Sequence, residues 1–141
     1  MARPKSAAYR NIKSHKYSID GITFASRGEA ERYLELDIQR LKGEVIELVL
    51  QPKFELQPKF RKNGKPIREI SYIADFKVTY KEGKVEIEDV KGWGGYTTPE
   101  FKLKRKLFLF RYPQYDLILS KRNGKKIDVL LSGREALKRL Q

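Results

Sequence analysis

The stretch "EISYIADFKVTYKEGKVEIEDVKGW", Glu69 to Trp93, reads as strand, turn and strand. With a period of two, Val85 and Ile87 point to one face and Asp89 and Lys91 continue it. An apolar stripe that runs into a carboxylate and an ammonium loses several kcal/mol unless the charges are paired or bound. The turn decides what Asp89 meets. A two-residue loop at Glu82-Gly83 pairs Asp75 with Val90 and puts the two acids on opposite faces. A three-residue loop, Lys81-Glu82-Gly83, uses Gly83 in the left-handed conformation and closes Tyr80 on Lys84. It sets Val78 against Glu86, Lys77 against Ile87, Asp75 against Asp89 and Ile73 against Lys91. Two carboxylates then face each other with Cβ atoms roughly 4.5–5.5 Å apart. Such a pair calls for a divalent cation between them, or for one acid to be protonated. Lys91 on the same face can steady a phosphate or a water. An ordinary Asp–Lys ion pair on a solvated strand accounts for the same residues, and the spacing alone does not separate the two. Glu86 and Glu88, on the other face, read as structural or surface residues.

Outward from this hairpin, "KYSIDGITFAS" alternates around Asp20-Gly21, a favoured two-residue turn. "SRGEAERYLELDIQRLKG" predicts a helix with Ser26 as N-cap, Ala30, Tyr33, Leu34, Ile38 and Leu41 as its apolar stripe, and Gly43 as its stop. The repeat "LQPKF" (Leu50–Phe54, Leu56–Phe60) predicts two strand pieces kinked at Pro52 and Pro58 near a sheet edge. Its six-residue period is too short for a solenoid. "RKNGKP" is a polar turn and "GGYTTP" a loop. Thr98-Pro99 opens a second helix with Leu103, Leu107 and Phe110 inward and Lys102, Arg105 and Lys106 outward. "YDLILS" and "KIDVLL" are strands about a turn at Asn123-Gly124, and Ser132 with Glu135 caps a short basic helix. The expected fold is α/β: a mixed central sheet flanked by helices, one domain over residues 17–141 behind a basic arm at 1–16.

Composition narrows the chemistry. The 141 residues carry a net charge of +13, with 40% apolar, 11% aromatic and 35% charged residues, and the pI is near 9.9. Such a field attracts polyanions. No apolar run is long enough to cross a membrane, and none follows the charges of "MARPKSAAYRNIKSHK" to make a secretory leader. With no cysteine and one histidine, His15, zinc fingers and Ser-His-Asp or Cys-His catalysis are not expected. Any metal must be a hard cation held by oxygen.

"IADF" at Ile73–Phe76 and "DVKG" at Asp89–Gly92 together resemble the PD-(D/E)XK nuclease motif. The acidic helix ahead of them, and the basic helix and strand "KGWGGYTTPEFKLKRKLFLFRYPQYDLILS" behind, resemble the flanks of that fold. The likeness covers about residues 17–120 and is nearest to phage endonuclease I-type Holliday junction resolvases and related small phage nucleases. It implies a PD-(D/E)XK core using Mg2+ or Mn2+. Asp75 would be the central metal ligand, Asp89 the second acid, the Val90 carbonyl a further ligand, Lys91 the motif lysine and Glu29 the helix acid. One position departs: the usual proline before the first acid is Ala74. Glu29 also fits a capping box with Ser26, and both roles stand open. Gln51 approaches the site from a neighbouring strand, although an edge polar residue is the plainer reading.

On the same likeness Lys102, Lys104, Arg105 and Lys106 would contact DNA phosphates, and Trp93 would stack on a base or pack in the core. The activity implied is phosphodiester hydrolysis on branched DNA by a homodimer, with no nucleotide cofactor and no membrane partner. Its expected setting is the cytoplasm of a bacterium or phage-infected cell. Two readings compete: a sequence- or lesion-directed nicking endonuclease of the same fold, and a non-catalytic DNA-binding module.

Overall fold

The computed structural model describes residues 17–91, 98–120 and 126–130. The basic arm with His15, the loop with Trp93, the Asn123-Gly124 turn and the helix after Ser132 lie outside the described residues.

The described chain enters through a hairpin, β1 (Ser18–Ile19) and β2 (Ile22–Thr23). Its turn residues Asp20 and Gly21 have φ of 53° and 76°, as a two-residue turn with both central residues left-handed requires. Helix α1 (Arg27–Leu41) starts at Ser26, whose side chain accepts the Glu29 N–H. It stops at Gly43 (φ 81°), whose N–H reaches the Arg40 carbonyl. The buried face differs from the expected stripe. Ala30 and Tyr33 are buried as expected, but Leu34, Ile38 and Leu41 are 44%, 52% and 75% exposed, and Leu36 is fully buried. The helix is turned because Arg32 also points inward, to a partner described below.

Among the described residues five strands form the main sheet, in the order β11 (Lys126–Leu130), β10 (Asp116–Ser120), β9 (Val85–Val90), β8 (Phe76–Tyr80), β3 (Val45–Leu50). β9 and β10 run parallel, and the other neighbours antiparallel. Helix α2 (Pro99–Arg111) lies in the connection that a parallel pair needs. It starts at Thr98, whose hydroxyl accepts the Phe101 N–H at 3.2 Å. The molecule is therefore mixed α/β, with an apolar cluster around each helix. Ala30, Tyr33 and Leu36 of α1 pack with Val45, Phe76 and Val78, and Phe101 and Phe108 of α2 with Ile87, Leu117 and Leu119. Here too the stripe shifts: Leu103 and Phe110, expected inward, are 58% and 84% exposed, while Leu107 is half-buried.

The strand expected to run unbroken through "EISYIADFKVTY" is divided into β7 (Ile70–Ile73) and β8, with Ala74-Asp75 between. Its partner breaks at the same level. β3 pairs with β8 in the main sheet, and β4 (Lys53–Gln57) pairs with β7 in a separate two-stranded sheet. Gln51, at φ 49°, and Pro52 make the bend on that side. β3 is an edge of the main sheet and β4 stops before Pro58, so both kinks of the repeat fall where expected. The "RKNGKP" turn is the tip of a small hairpin, β5 (Phe60–Lys62) and β6 (Lys65–Ile67), with Asn63 and Gly64 at φ 51° and 78°.

Candidate active site

The β8–β9 turn takes the three-residue form. Gly83 has φ 93°, Tyr80 N–H donates to Lys84 O, and Val78 and Lys77 oppose Glu86 and Ile87. Regular pairing ends at Phe76–Glu88, one residue short of the acids. Beyond it the backbone is anchored differently. Asp75 N–H donates to Glu88 O at 3.1 Å, and Asp75 O accepts the Gln51 N–H at 2.9 Å. Its carboxylate Oδ2 accepts the Val90 N–H at 2.7 Å. Asp75 thus sits at the bend, held through both backbone groups and its side chain. The Ala74 N–H donates to Pro52 O at 3.1 Å. A proline at that position would have no such donor, which gives a physical reason for Ala74 here.

The Asp75 and Asp89 carboxyls lie within hydrogen-bonding reach of each other. Burial, then the charges of Asp89 and Glu29, push Asp75 up to about 8, against a partial offset from the Val90 N–H. Asp89 is buried. Its Oδ2 accepts the Tyr72 hydroxyl at 2.5 Å and forms an ion pair with the Lys91 ammonium at 3.1 Å. Lys91 also lies over the Phe101 ring, 4.2 Å from its centre. Burial, then the Asp89 charge, raises the Tyr72 hydroxyl far above its ordinary range, so it acts as a donor.

Burial raises the Glu29 carboxyl, which also lies close enough to feel both aspartates and Lys91. It is also tied to the helix start: Ser26 Oγ donates to Glu29 Oε1 at 3.3 Å, and Glu29 N–H returns to Ser26 Oγ at 3.1 Å. The tie to the helix start is a geometric contact with the Ser26 hydroxyl, whereas the link to the aspartates is electrostatic proximity alone. Among the described residues, no three Asp, Glu or His side chains converge as a metal cage. The core of the site is a pair of carboxyls. Such a pair can share a proton, or hold a hard cation that keeps several of its waters.

A cleft of about 280 Å3 opens on Tyr72 and Lys91, the two partners of Asp89, with Ser71, Ile73, Phe101 and Lys104 also in its lining and neither aspartate among the lining residues. Among the described residues the Ser71 hydroxyl is buried without a hydrogen-bond partner. The four α2 cations expected to contact phosphates, Lys102, Lys104, Arg105 and Lys106, do not act as one face. Lys104 lines the cleft, within 3.1 Å of Glu100; Arg105 is half-buried, and Lys102 and Lys106 are exposed. Gln51 contributes its backbone, its side chain being exposed. Val90 contributes its N–H. Trp93 lies outside the described residues.

Sequence reasoning missed Tyr72 and the group behind the site. Arg32 Nε and Nη2 donate to the two oxygens of Glu88 at 2.6 and 2.9 Å, and Ser120 Oγ donates to Glu88 Oε2 at 3.1 Å. Glu88 is 1% exposed and Glu86 4%, so neither is a surface residue, as had stood open. The strand–helix–strand order of β9, α2 and β10 was the available signal: it suits a parallel pair, whose strands are covered on both faces, so a mid-strand Glu needs a buried cation.

Residues 9–128 match the family described as a protein of unknown function (DUF1064). The chain belongs to that family. The matched span of the DUF1064 family contains Glu29, Gln51, Tyr72, Asp75, Asp89, Lys91 and the α2 cations. No curated protein and no solved structure matches the chain.

Proposed function

We propose that this chain is a divalent-metal-dependent endodeoxyribonuclease with a PD-(D/E)XK-like core, acting on branched DNA. The observation that carries the reading is the Asp75–Asp89 pair. Two carboxyls act on each other in a buried setting that pushes Asp75 up to about 8, with Lys91 3.1 Å from Asp89 at the edge of a cleft. A structural ion pair needs one acid and one base; the second acid raises the energy of the site unless a cation offsets it.

Mg2+ or Mn2+ held by Asp75 and Asp89, with Glu29 nearby, would supply an activated water and offset charge on the phosphate. The chain's own groups do the remainder. Asp75 is aimed by its three backbone anchors. Lys91, beside Asp89 and over the Phe101 ring, would present its ammonium where charge develops on phosphate oxygens. Lys104 adds a second cation in the cleft, and the +13 net charge draws DNA to the surface. Attack by water requires no covalent intermediate, consistent with the absence of cysteine. Selectivity for branched DNA rests on the resemblance to junction resolvases, and two symmetric cuts across a junction require two copies of the chain.

A labelled four-way junction and a matched linear duplex test this, each with Mg2+ or Mn2+, and with binding followed in Ca2+. Wild type is expected to make paired cuts in the junction. Lys91→Ala is expected to bind and to cut at least about 100-fold more slowly, the scale for losing a positioned charge stabiliser. Equal cutting of both substrates would leave a nuclease without junction selectivity. Binding with no cutting in either metal would leave a non-catalytic DNA-binding module.

A further inference from the structure

Asp89 places two strong donors on one oxygen. Tyr72 and Lys91 both reach Oδ2, which leaves Oδ1 as the oxygen through which Asp89 can meet Asp75 or a cation. Lys91 faces the cleft and is 20% exposed, so substrate can draw it away. Tyr72 cannot leave so easily. Its residue is 3% exposed, and its ring packs against Phe108, Phe101 and Phe54 at centroid distances of 5.4, 6.3 and 6.5 Å. Those contacts involve the ring alone. A phenylalanine would fill the same room, so packing does not explain the hydroxyl; the hydroxyl's partner is Asp89. The ring belongs to β7 and the apolar cluster around α2, and Asp89 to the central strand. The bond therefore ties the second acid to β7, a strand outside the main sheet that carries Asp89.

We infer that Tyr72 is the positioning residue for Asp89: its hydroxyl holds Oδ2 so that Oδ1 is presented toward Asp75 as half of a divalent-cation site. The inference rests on the metal-dependent reading above. Groups that orient a metal ligand typically change affinity by about 10- to 100-fold when removed.

The test is Mn2+ binding, read as free Mn2+ by electron paramagnetic resonance, in the full chain. Wild type, Tyr72→Phe and Asp75→Ala are compared, with circular dichroism to establish folding. Wild type is expected to bind Mn2+ and Asp75→Ala to lose it. Tyr72→Phe is expected to fold and to bind about 10- to 100-fold more weakly. The Mn2+ concentration for half-maximal DNA cleavage should move with it, while the rate at saturating Mn2+ stays within a few-fold of wild type. Wild-type Mn2+ affinity in a folded Tyr72→Phe overturns the inference and leaves the nuclease reading intact. No Mn2+ binding by wild type overturns both. Should Tyr72→Phe not fold, 3-fluorotyrosine placed at position 72 keeps the hydroxyl. Its 19F resonance is expected to shift with Mg2+ at the midpoint of metal binding, and a resonance that does not move overturns the inference.

Discussion

Asp75 is the residue on which the account turns, and its electrostatics make a statement about stability. Its ordinary value is 3.8, and in the fold it is pushed up to about 8, so between those limits the folded chain holds a proton that the unfolded chain releases. The contribution of Asp75 to the stability of the metal-free protein is therefore fully present below about pH 4 and is lost as pH rises through about 8. Glu29, also raised chiefly by burial, contributes with the same sign. Melting temperature measured in chelator should fall from pH 5 to pH 8.5. Asp75→Asn should flatten that slope, and so should saturating Mg2+ or Mn2+, because a cation takes over the proton's role. A metal-free melting temperature that rises or stays level over this range would contradict the assigned environment of Asp75. At this scale the sequence was partly legible. Asp75, Asp89 and Lys91 could be placed together by counting residues from Gly83, because an antiparallel hairpin fixes register over a short span. Tyr72 could not, since nothing in a strand's alternation tells which carboxylate a tyrosine hydroxyl will reach.

At the scale of elements, the ends of helices were legible and their buried faces were not. Ser26, Gly43 and Thr98 act through their own neighbours along the chain, so caps follow from local chemistry. Which face of α1 turns inward depends on the buried Arg32–Glu88 pair, whose partners are 56 residues apart. That pair turns inward the side of the helix that carries Arg32 and Leu36, and leaves Leu34, Ile38 and Leu41 exposed. Removing either partner alone would strand a buried charge, a loss of about 3–5 kcal/mol. Denaturant unfolding separates the two faces. Leu36→Ala is expected to destabilise by about 2–5 kcal/mol, and Ile38→Ala, at a half-exposed site, by about 1 kcal/mol or less. The reverse order would restore the face read from apolar periodicity. The bend at Gln51 and Ala74-Asp75 was legible on one strand through Pro52 and hidden on the other, where no proline or glycine marks it.

At the scale of the whole molecule, a mixed sheet with helix-bearing clusters brings the first and second helices to one carboxyl pair, Glu29 from α1 and Phe101 and Lys104 from α2. The Arg32–Glu88–Ser120 group joins α1 to β9 and β10 directly behind Asp89, so the acid pair rests on a rigid base. The general basic charge was legible in composition, but its division on α2 between cleft and solvent was not, because that depends on which side Phe101 and Phe108 bury. The most direct measurement is nicking of supercoiled circular DNA in Mg2+ and in Mn2+ by wild type, Asp75→Asn and Asp89→Asn at low salt. The account expects metal-dependent nicking by wild type and its loss in both variants, with DNA binding retained. Nicking that survives Asp75→Asn, or a wild type that nicks no DNA with either ion, would contradict it.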